Sequence, residues 1–398
     1  MFGNILTAIG LFFIQPTFIV GIVLAILSAQ RRLKYERLTM RTAIFREYRE
    51  VRLFLMGGLV AGLVGSLIAL GIGMPFTLDW IILFQIINIL LLGMGYRFIH
   101  PLFSFSLTTL ILASATYLIE PNSLQFIATS WFSPINQGMA TLFTLGQSTG
   151  ILTLVFLLFS LMILKKVASQ NYTPHFRSSK RGKIIANYQM KPFWLIPLLL
   201  VVPGESFGAL FDWWPVFSIG NETFSFFFLP ILAGFRYTAQ AQHPIEATDK
   251  IIKELIPTAL ISGALLVASY WMPILSLVNA GVVFLLTFII FYRHRLRERE
   301  WSFRFGPPEE GVKVIAIRPD TPAAKMGLQI GDTIVVCNNQ KVYDADSLYQ
   351  ALSQTSVYCH LKIKQADGEL RLAETAVYDD APHDMGIVTL SQITIPRK

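Results

Sequence analysis

Long apolar runs separated by short basic clusters make up the first three-quarters of the chain. No Lys or Arg occurs between Arg52 and Arg97, Arg97 and Lys165, Lys191 and Arg236, or Lys253 and Arg293. Each gap holds apolar stretches near the roughly 20 residues that a helix needs to cross a bilayer core. The pattern predicts helical spans at about 8–29, 53–73, 80–97, 101–119, 144–164, 193–211, 222–235, 254–272 and 274–292. Pro16 interrupts the first, and 222–235 is short and holds Pro230, so eight or nine crossings fit. From residue 311 the pattern becomes short alternating runs punctuated by Gly, Asn and Pro, the signature of strands and turns.

The connections between spans alternate in charge. Residues 30–52, the turn at Arg97 and His100, residues 165–192, residues 236–253 and everything after 292 carry the basic residues. The other connections carry only acids: Asp79, Glu120, Glu205, Asp212 and Glu222. Lys and Arg are retained in the cytoplasm, so this pattern predicts basic loops and carboxyl-terminal tail inside, with the amino terminus a retained anchor outside. The net charge of +8 accompanies 53% hydrophobic and 15% charged residues. Residues 302–398 hold ten Lys/Arg against twelve Asp/Glu, so the surplus lies in the apolar part. Basic clusters flanking apolar spans point to topology signals and anionic lipid headgroups, and away from nucleic acid.

One predicted span, "LMGGLVAGLVGSLIALGIG", places Gly57, Ala61, Gly65 and Ala69 four apart, beside a second row of Gly58, Gly62 and Ser66. Small residues at this spacing let helix backbones approach closely. They serve internal packing or, as the alternative, a homo-oligomer seam.

Candidate chemistry is sparse. "GESFG" at 204–208 matches the G-x-S-x-G nucleophile pattern, but Ser206 lies within an apolar span with no histidine nearby, and a chance match is the better reading. No H-E-x-x-H occurs. Glu205, beside Pro203 and Gly204 in an apparent broken helix, is the one acid that transport would recruit. His175, His243, His294, His360 and His383 are scattered through the basic segments and read as solvated, while His100 caps a short turn. Cys337 and Cys359 have neither disulfide nor metal-ligand spacing. Neither a catalytic group nor a cofactor or metal is implied.

The terminal module reads in order as a strand "GVKVIAI", a turn "RPDTP", a short helix stopped at Gly327, a bend at Gly331-Asp332 and a strand "TIVVC" with an Asn-Asn turn. An amphipathic helix over 346–353 follows, N-capped by Asp344 or Asp346, then "HLKIKQ" and "ELRLAETAV" joined at Gly368. Gly311-Val312, Pro319, Thr321-Pro322-Ala323-Ala324, Gly327-Leu328, Gly331-Asp332 and Ile334–Val336 together resemble a PDZ domain. That resemblance implies a small α+β barrel that takes a partner's extended segment as an added strand beside its long helix. Leu348, Tyr349 and Leu352 are the expected groove residues on the helix. For the loop that holds a peptide carboxylate two stretches compete, "FRFG" (303–306) and Met385-Gly386-Ile387, and the second has the better motif despite its place at the far end.

The expected organisation is an α-helical polytopic bundle of eight to nine helices over 1–292, a basic linker over 293–302, a PDZ domain over 303–392 and a tail over 393–398. This architecture, together with the terminal "MGIVTL", resembles the MinJ family of division-site selection proteins in Gram-positive bacteria. The resemblance implies a non-catalytic membrane scaffold at septa and poles. It would join a DivIVA-like marker to a MinD-like ATPase, and through that to MinC. The rival readings are a transporter or sensor whose PDZ domain recruits a regulator, and an adaptor for a membrane protease.

Overall fold

The structure, a computed structural model, describes residues 2–40, 43–45, 48–118, 139–168, 172–179, 182–209, 211–217, 223–353, 358–365, 368–376 and 385–390. Glu120, Glu222, His383 and the tail 393–398 lie outside them. Helices α1 (Phe2–Ile14) and α2 (Pro16–Met40) are followed by α3 (Arg49–Met56), α4 (Leu59–Ile72), α5 (Leu78–Met94), α6 (Pro101–Leu118) and α7 (Met139–Ala168). Strands β1 (Pro174–Ser178), β2 (Ile184–Met190), β3 (Phe193–Phe207), β4 (Phe224–Gly234) and β5 (Tyr237–Ala239) come next, then α8 (Pro244–Ala268) and α9 (Leu275–Glu300). Five helical stretches, Pro16–Met40, Arg49–Ile72, Ala140–Ala168, Pro244–Ala268 and Leu275–Glu300, are long and apolar enough to cross a membrane, and Leu78–Met94 and Pro101–Thr116 are shorter apolar helices. Against the expected eight or nine transmembrane helices stand these five candidate spans and two shorter apolar helices among the described residues.

Two expected spans are not helices. Within 193–211 and 222–235, Phe193–Phe207 and Phe224–Gly234 form the antiparallel hairpin β3–β4, in register from Phe193↔Gly234 to Phe207↔Phe224 with a shift between Pro203 and Phe207. Prolines explain the change. Pro197, Pro203 and Pro230 would each break a helix ladder, whereas Pro197 and Pro230 face each other at positions whose backbone groups point away from the partner strand. That direction is visible at their neighbours: Leu199 N donates to Ser66 Oγ at 2.8 Å, Phe76 N to Val201 O at 2.8 Å and Gln15 Nε2 to Phe228 O at 2.6 Å. No rung of the ladder is lost to either proline. Reach favours strands too. The 11 residues of β4 extend about 36 Å at ~3.3 Å each, whereas 222–235 as a helix would extend only about 21 Å.

A two-stranded ribbon in an apolar layer has two unpaired edges, and lipid cannot satisfy them. Here helices do. The small-residue rows of α4 lie against β3, where a Cβ on Gly58 would come within 2.0 Å of Leu195 O and one on Gly62 within 2.3 Å of Pro197 O. Gly65 meets Phe156, and Ala61 is buried. The alternative of a homo-oligomer seam through Gly57, Gly58, Ala61, Gly62 and Gly65 is thus corrected: this face is filled by the chain's own hairpin. The opposite face of α4, with Leu59, Val60, Leu63 and Leu67, is exposed as a lipid-facing surface would be. Trp194, Ile196, Leu198 and Leu200 from β3 join Trp80, Phe84, Phe103 and Phe156 in one core.

The break at Gln15 divides the expected first span into α1 and α2. Gln15 Oε1 accepts from Gln85 Nε2 at 2.9 Å while its amide reaches Phe228, so the interruption is bridged inside the protein. At the basic end, β1–β2–β5 form a three-stranded sheet where loops were expected. Two buried carboxylates organise this end. Glu36 accepts from Ile44 N at 2.8 Å and Thr173 Oγ1 at 2.5 Å, and Glu298 accepts from Gln240 N and Ala241 N at 2.8 and 2.9 Å. Residues 293–300, expected in the linker, continue α9 instead.

Candidate peptide-binding site

The terminal module contains β6 (Val312–Ile317), α10 (Pro322–Lys325), β7 (Thr333–Cys337), β8 (Gln340–Lys341), α11 (Ala345–Ser353), β9 (Tyr358–Lys364), β10 (Leu370–Ala376) and β11 (Ile387–Thr389). Its sheet runs β10-β9-β7-β6-β11, with β8 paired to β7. Local chemistry fixes the turns. Asn338 and Asn339 both have positive φ (46° and 64°), as a two-residue β7–β8 hairpin of type I′ requires. At the bend, Gln329 N donates to Asp332 Oδ2 at 2.8 Å and Gly331 N to Val314 O at 2.9 Å. Asp344 caps α11, its Oδ1 accepting from Ser347 N at 2.8 Å, while Tyr343 N and Asp344 N donate back to Ser347 Oγ. This exposed carboxyl is held below its usual pKa mainly by the Ser347 amide.

Strand β6 is buried on both sides, and a register shift separates the two uses of its side chains. Val312, Val314 and Ile317 enter the module's own core with Ile334, Leu348, Leu361 and Ile387. Ile315 joins the membrane-bundle core, and Ala316 packs with Met40, Ile44, Phe45 and Val388. The simple alternation that would put Val312, Val314 and Ala316 on one face ends at Val314. Bulges have this effect because one extra residue inverts the alternation beyond it.

The sequence-predicted groove residues fall as follows. The 387–389 segment lies at the end of the sheet order, pairing antiparallel with β6 at Ile387↔Ile317, Val388↔Ala316 and Thr389↔Val314. Gly386 has φ +79°, and a Cβ there would come within 2.2 Å of Thr321 Oγ1. Its carbonyl accepts from Arg318 N at 2.8 Å and that of Met385 from Ala323 N at 3.1 Å, which anchors the loop to the start of α10. On α11, Leu348 is buried and Tyr349 is 69% exposed. Leu352 and Met385 are half-buried against the module core that also holds Leu348 and Ile387, and Tyr349 stands outside it. The rival stretch "FRFG" is occupied elsewhere: Ala186 N donates to Phe305 O at 2.9 Å and Arg304 N to Gln240 O at 3.0 Å. Phe305 is fully buried, edge-on to Tyr188 at 4.8 Å.

The module is therefore docked and not loosely tethered. Tyr188 OH donates to Ile315 O at 2.5 Å, Val388 packs on Ile44 and Phe45, and Arg304 reaches Glu246 at 3.0 Å. This seat was invisible in the sequence: Tyr188 belongs to no motif, and the motif "MGIVTL" that holds Val388 does not say what Val388 packs against.

The remaining candidates resolve simply. Ser206 lies on β3, its Oγ 2.8 Å from Ser225 Oγ, away from any strand-to-helix elbow. Glu205 is exposed, which corrects its expected place in a buried broken helix. Of the histidines expected to be solvated, His294 is buried, His243 is half-buried and caps α8, and His175 is half-buried and stacks on Tyr35 at 4.8 Å; His360 is exposed beside Glu374. Burial, with the charges of Lys191 and Arg236, pushes the His175 imidazole down to about 4. Cys337 and Cys359 are both free and buried.

Residues 298–375 match the family model described as PDZ domain. Over 394 aligned residues the chain is 28% identical to the Cell division topological determinant MinJ of Bacillus subtilis (strain 168), covering 97% of this chain and 94% of that protein. It is 29% identical over 282 residues to the Probable cell division topological determinant MinJ of Lacticaseibacillus paracasei, covering 66% of this chain and 74% of the relative. A shorter match, 40% identical over 47 residues, covers 12% of this chain and 14% of Serine endoprotease DegS of Haemophilus influenzae.

Proposed function

We propose, from the premise that this is a MinJ-like membrane protein with a carboxyl-terminal PDZ domain, that the chain is a non-catalytic scaffold in division-site selection. It links a DivIVA-like marker of poles and septa to a MinD-like ATPase, and so to MinC. The basic end of the bundle and the PDZ domain lie in the cytoplasm, since Lys and Arg are retained there. The observation that carries this reading is the end-to-end similarity to a topological determinant, in a chain whose PDZ module is seated on the bundle through Ile315 and Val388.

A partner's extended segment adds beside β11 and below α11. Leu348 and Ile387 form the floor, Leu352 and Met385 the half-buried rim, and Gly386 the turn for a terminal carboxylate, with Tyr349 exposed at the border. Backbone pairing supplies affinity in this mode and the apolar pockets supply selectivity. Confinement at a membrane raises the effective concentration of whatever is held. The basic segments 31–52 and 165–191 meet anionic lipid.

A bacterial two-hybrid assay of the full chain against DivIVA and MinD tests the reading. Wild type is expected to score with at least one, and Tyr349→Ala with Leu352→Ser to weaken the groove-dependent contact while the protein keeps its abundance in membranes. Absence of both contacts would overturn it. The candidate acid for transport, Glu205, is exposed and not enclosed in a buried site.

A further inference from the structure

A cavity of about 1620 Å³ opens where α2, α3, α4, α7, the β2–β3 turn and the β6–α10 turn of the PDZ domain meet. This exceeds the few hundred to ~1,000 Å³ of ordinary small-molecule pockets. Its walls are sorted by depth. On α2, Leu24 and Leu27 are followed at helical spacing by Arg31; on α3–α4, Arg49 and Arg52 precede Met56 and Val60; on α7, Met162 and Ile163 precede Lys166. Residues three and four apart share a helix face. Each of the three helices thus presents apolar side chains at bilayer depth and a basic one at the same end, toward the same space.

Among the described residues, seven Lys/Arg line the cavity against two carboxylates, Glu50 and Asp320. Glu50 and the buried Glu36 both engage Arg32, at 2.5 and 3.1 Å. At the rim, partial desolvation pushes the exposed Lys191 ammonium below its usual pKa, and so does repulsion from the neighbouring guanidiniums of Arg236 and Arg31, which an anion would relieve. The deep part is open sideways: Met56, Val60 and Met162 are 63%, 61% and 68% exposed. A water-soluble phosphate compound would leave that apolar half unfilled.

We propose that this cavity binds an anionic phospholipid, with its phosphate among Arg31, Arg49, Lys166 and Lys191 and its acyl chains along Leu24, Leu27, Met56, Val60 and Met162. The PDZ turn Arg318–Thr321 forms part of the wall, so the lipid touches both domains. Basic pockets between membrane helices on the cytoplasmic side are suited to such headgroups. The inference rests on the basic end lying at the headgroups and needs no division partner, so its failure would leave the scaffold reading standing.

The test uses the full chain in detergent, with native mass spectrometry counting phosphatidylglycerol or phosphatidylcholine that survives exchange, and glycerol 1-phosphate as a competitor without chains. Wild type is expected to retain phosphatidylglycerol in preference to phosphatidylcholine, undisturbed by glycerol 1-phosphate. Arg31→Gln with Lys191→Gln, both exposed side chains, is expected to lower retention about thirtyfold, given about 1 kcal/mol per basic residue. Lys253→Gln with Arg299→Gln, exposed on α8 and α9 and outside both the cavity and the segments 31–52 and 165–191, keeps it. If the first pair misfolds, judged by size-exclusion elution, Lys166→Gln reads the same site with a smaller expected loss. Equal losses in both pairs, no preference for phosphatidylglycerol, or displacement by glycerol 1-phosphate would each overturn the proposal.

Discussion

The β3–β4 hairpin and the PDZ sheet are both antiparallel, but they meet the problem of unpaired strand edges differently. The hairpin lies in the apolar layer and is closed by helices and the α4–α5 connection: Ser66 on α4 and Phe76 in that connection bond its outward backbone groups, and Gly58 and Gly62 let α4 approach its carbonyls. The PDZ sheet ends on β11, a three-residue strand whose Val388 rests on the inner segment of the bundle. One sheet is sealed for stability. The other is held in place by a side-chain seat, which leaves its role to the terminal strand and the helix above it.

The largest expected effect falls on the sealed edge. Gly62→Leu sets a branched side chain where even a Cβ would lie 2.3 Å from Pro197 O. Overpacking commonly costs about 1–3 kcal/mol, and here backbone must move, so loss of the detergent-stable monodisperse species is expected. Leu63→Ala on the lipid-facing side should leave elution and melting near wild type. Equal behaviour of the two would mean that α4 does not seal the hairpin.

The next effect concerns the PDZ seat. Tyr188→Phe removes the hydroxyl from Ile315 O and leaves a buried carbonyl without that donor, at a cost of about 1–3 kcal/mol. Hydrogen exchange in 312–317 should accelerate while the module's own turns at Gly331 and Asn338 keep their protection. Unchanged exchange in β6 would show the seat to be dispensable.

How much of this could be read from sequence follows the same contrast. The PDZ turns were legible because their causes are local: Gly327, Gly331, Asn338, Asn339 and Gly368 all adopt positive φ where the sequence predicts bends. The hairpin was not. "WLIPLLLVV" is buried on both faces, so it lacks the two-residue alternation of a strand and reads as a continuous apolar span. Its prolines were the available signal, three of them within two expected spans. The alternation of basic and acidic connections survives because β3 and β4 run in the directions expected of the helices they replace. The small-residue rows were read correctly as close-packing surfaces, but what they pack against is a strand. Of the candidate site, Met385–Ile387 could be found by motif. The burial of Leu348 and the docking of β6 depend on tertiary contacts that no spacing encodes.

A smaller effect is expected from pH. His175 is neutral in the folded chain, with its pKa pushed down to about 4 from an ordinary value near 6.5. Its favourable contribution is present above about pH 6.5 and is lost as the pH falls toward about 4, since the unfolded chain takes up the proton first. Melting measured at pH 7 and pH 5 should fall more steeply for wild type than for His175→Phe, which keeps a ring against Tyr35. Parallel slopes would remove His175 from the account.

The most direct test of the scaffold reading is to follow the fluorescently tagged full chain in dividing Gram-positive cells that lack their own copy, together with tagged MinD. The account predicts collection of both proteins at septa, and loss of MinD from septa when the untagged chain carries Tyr349→Ala and Leu352→Ser or is absent. A uniform membrane distribution of the full chain, with MinD placed the same way in its presence and absence, would contradict it.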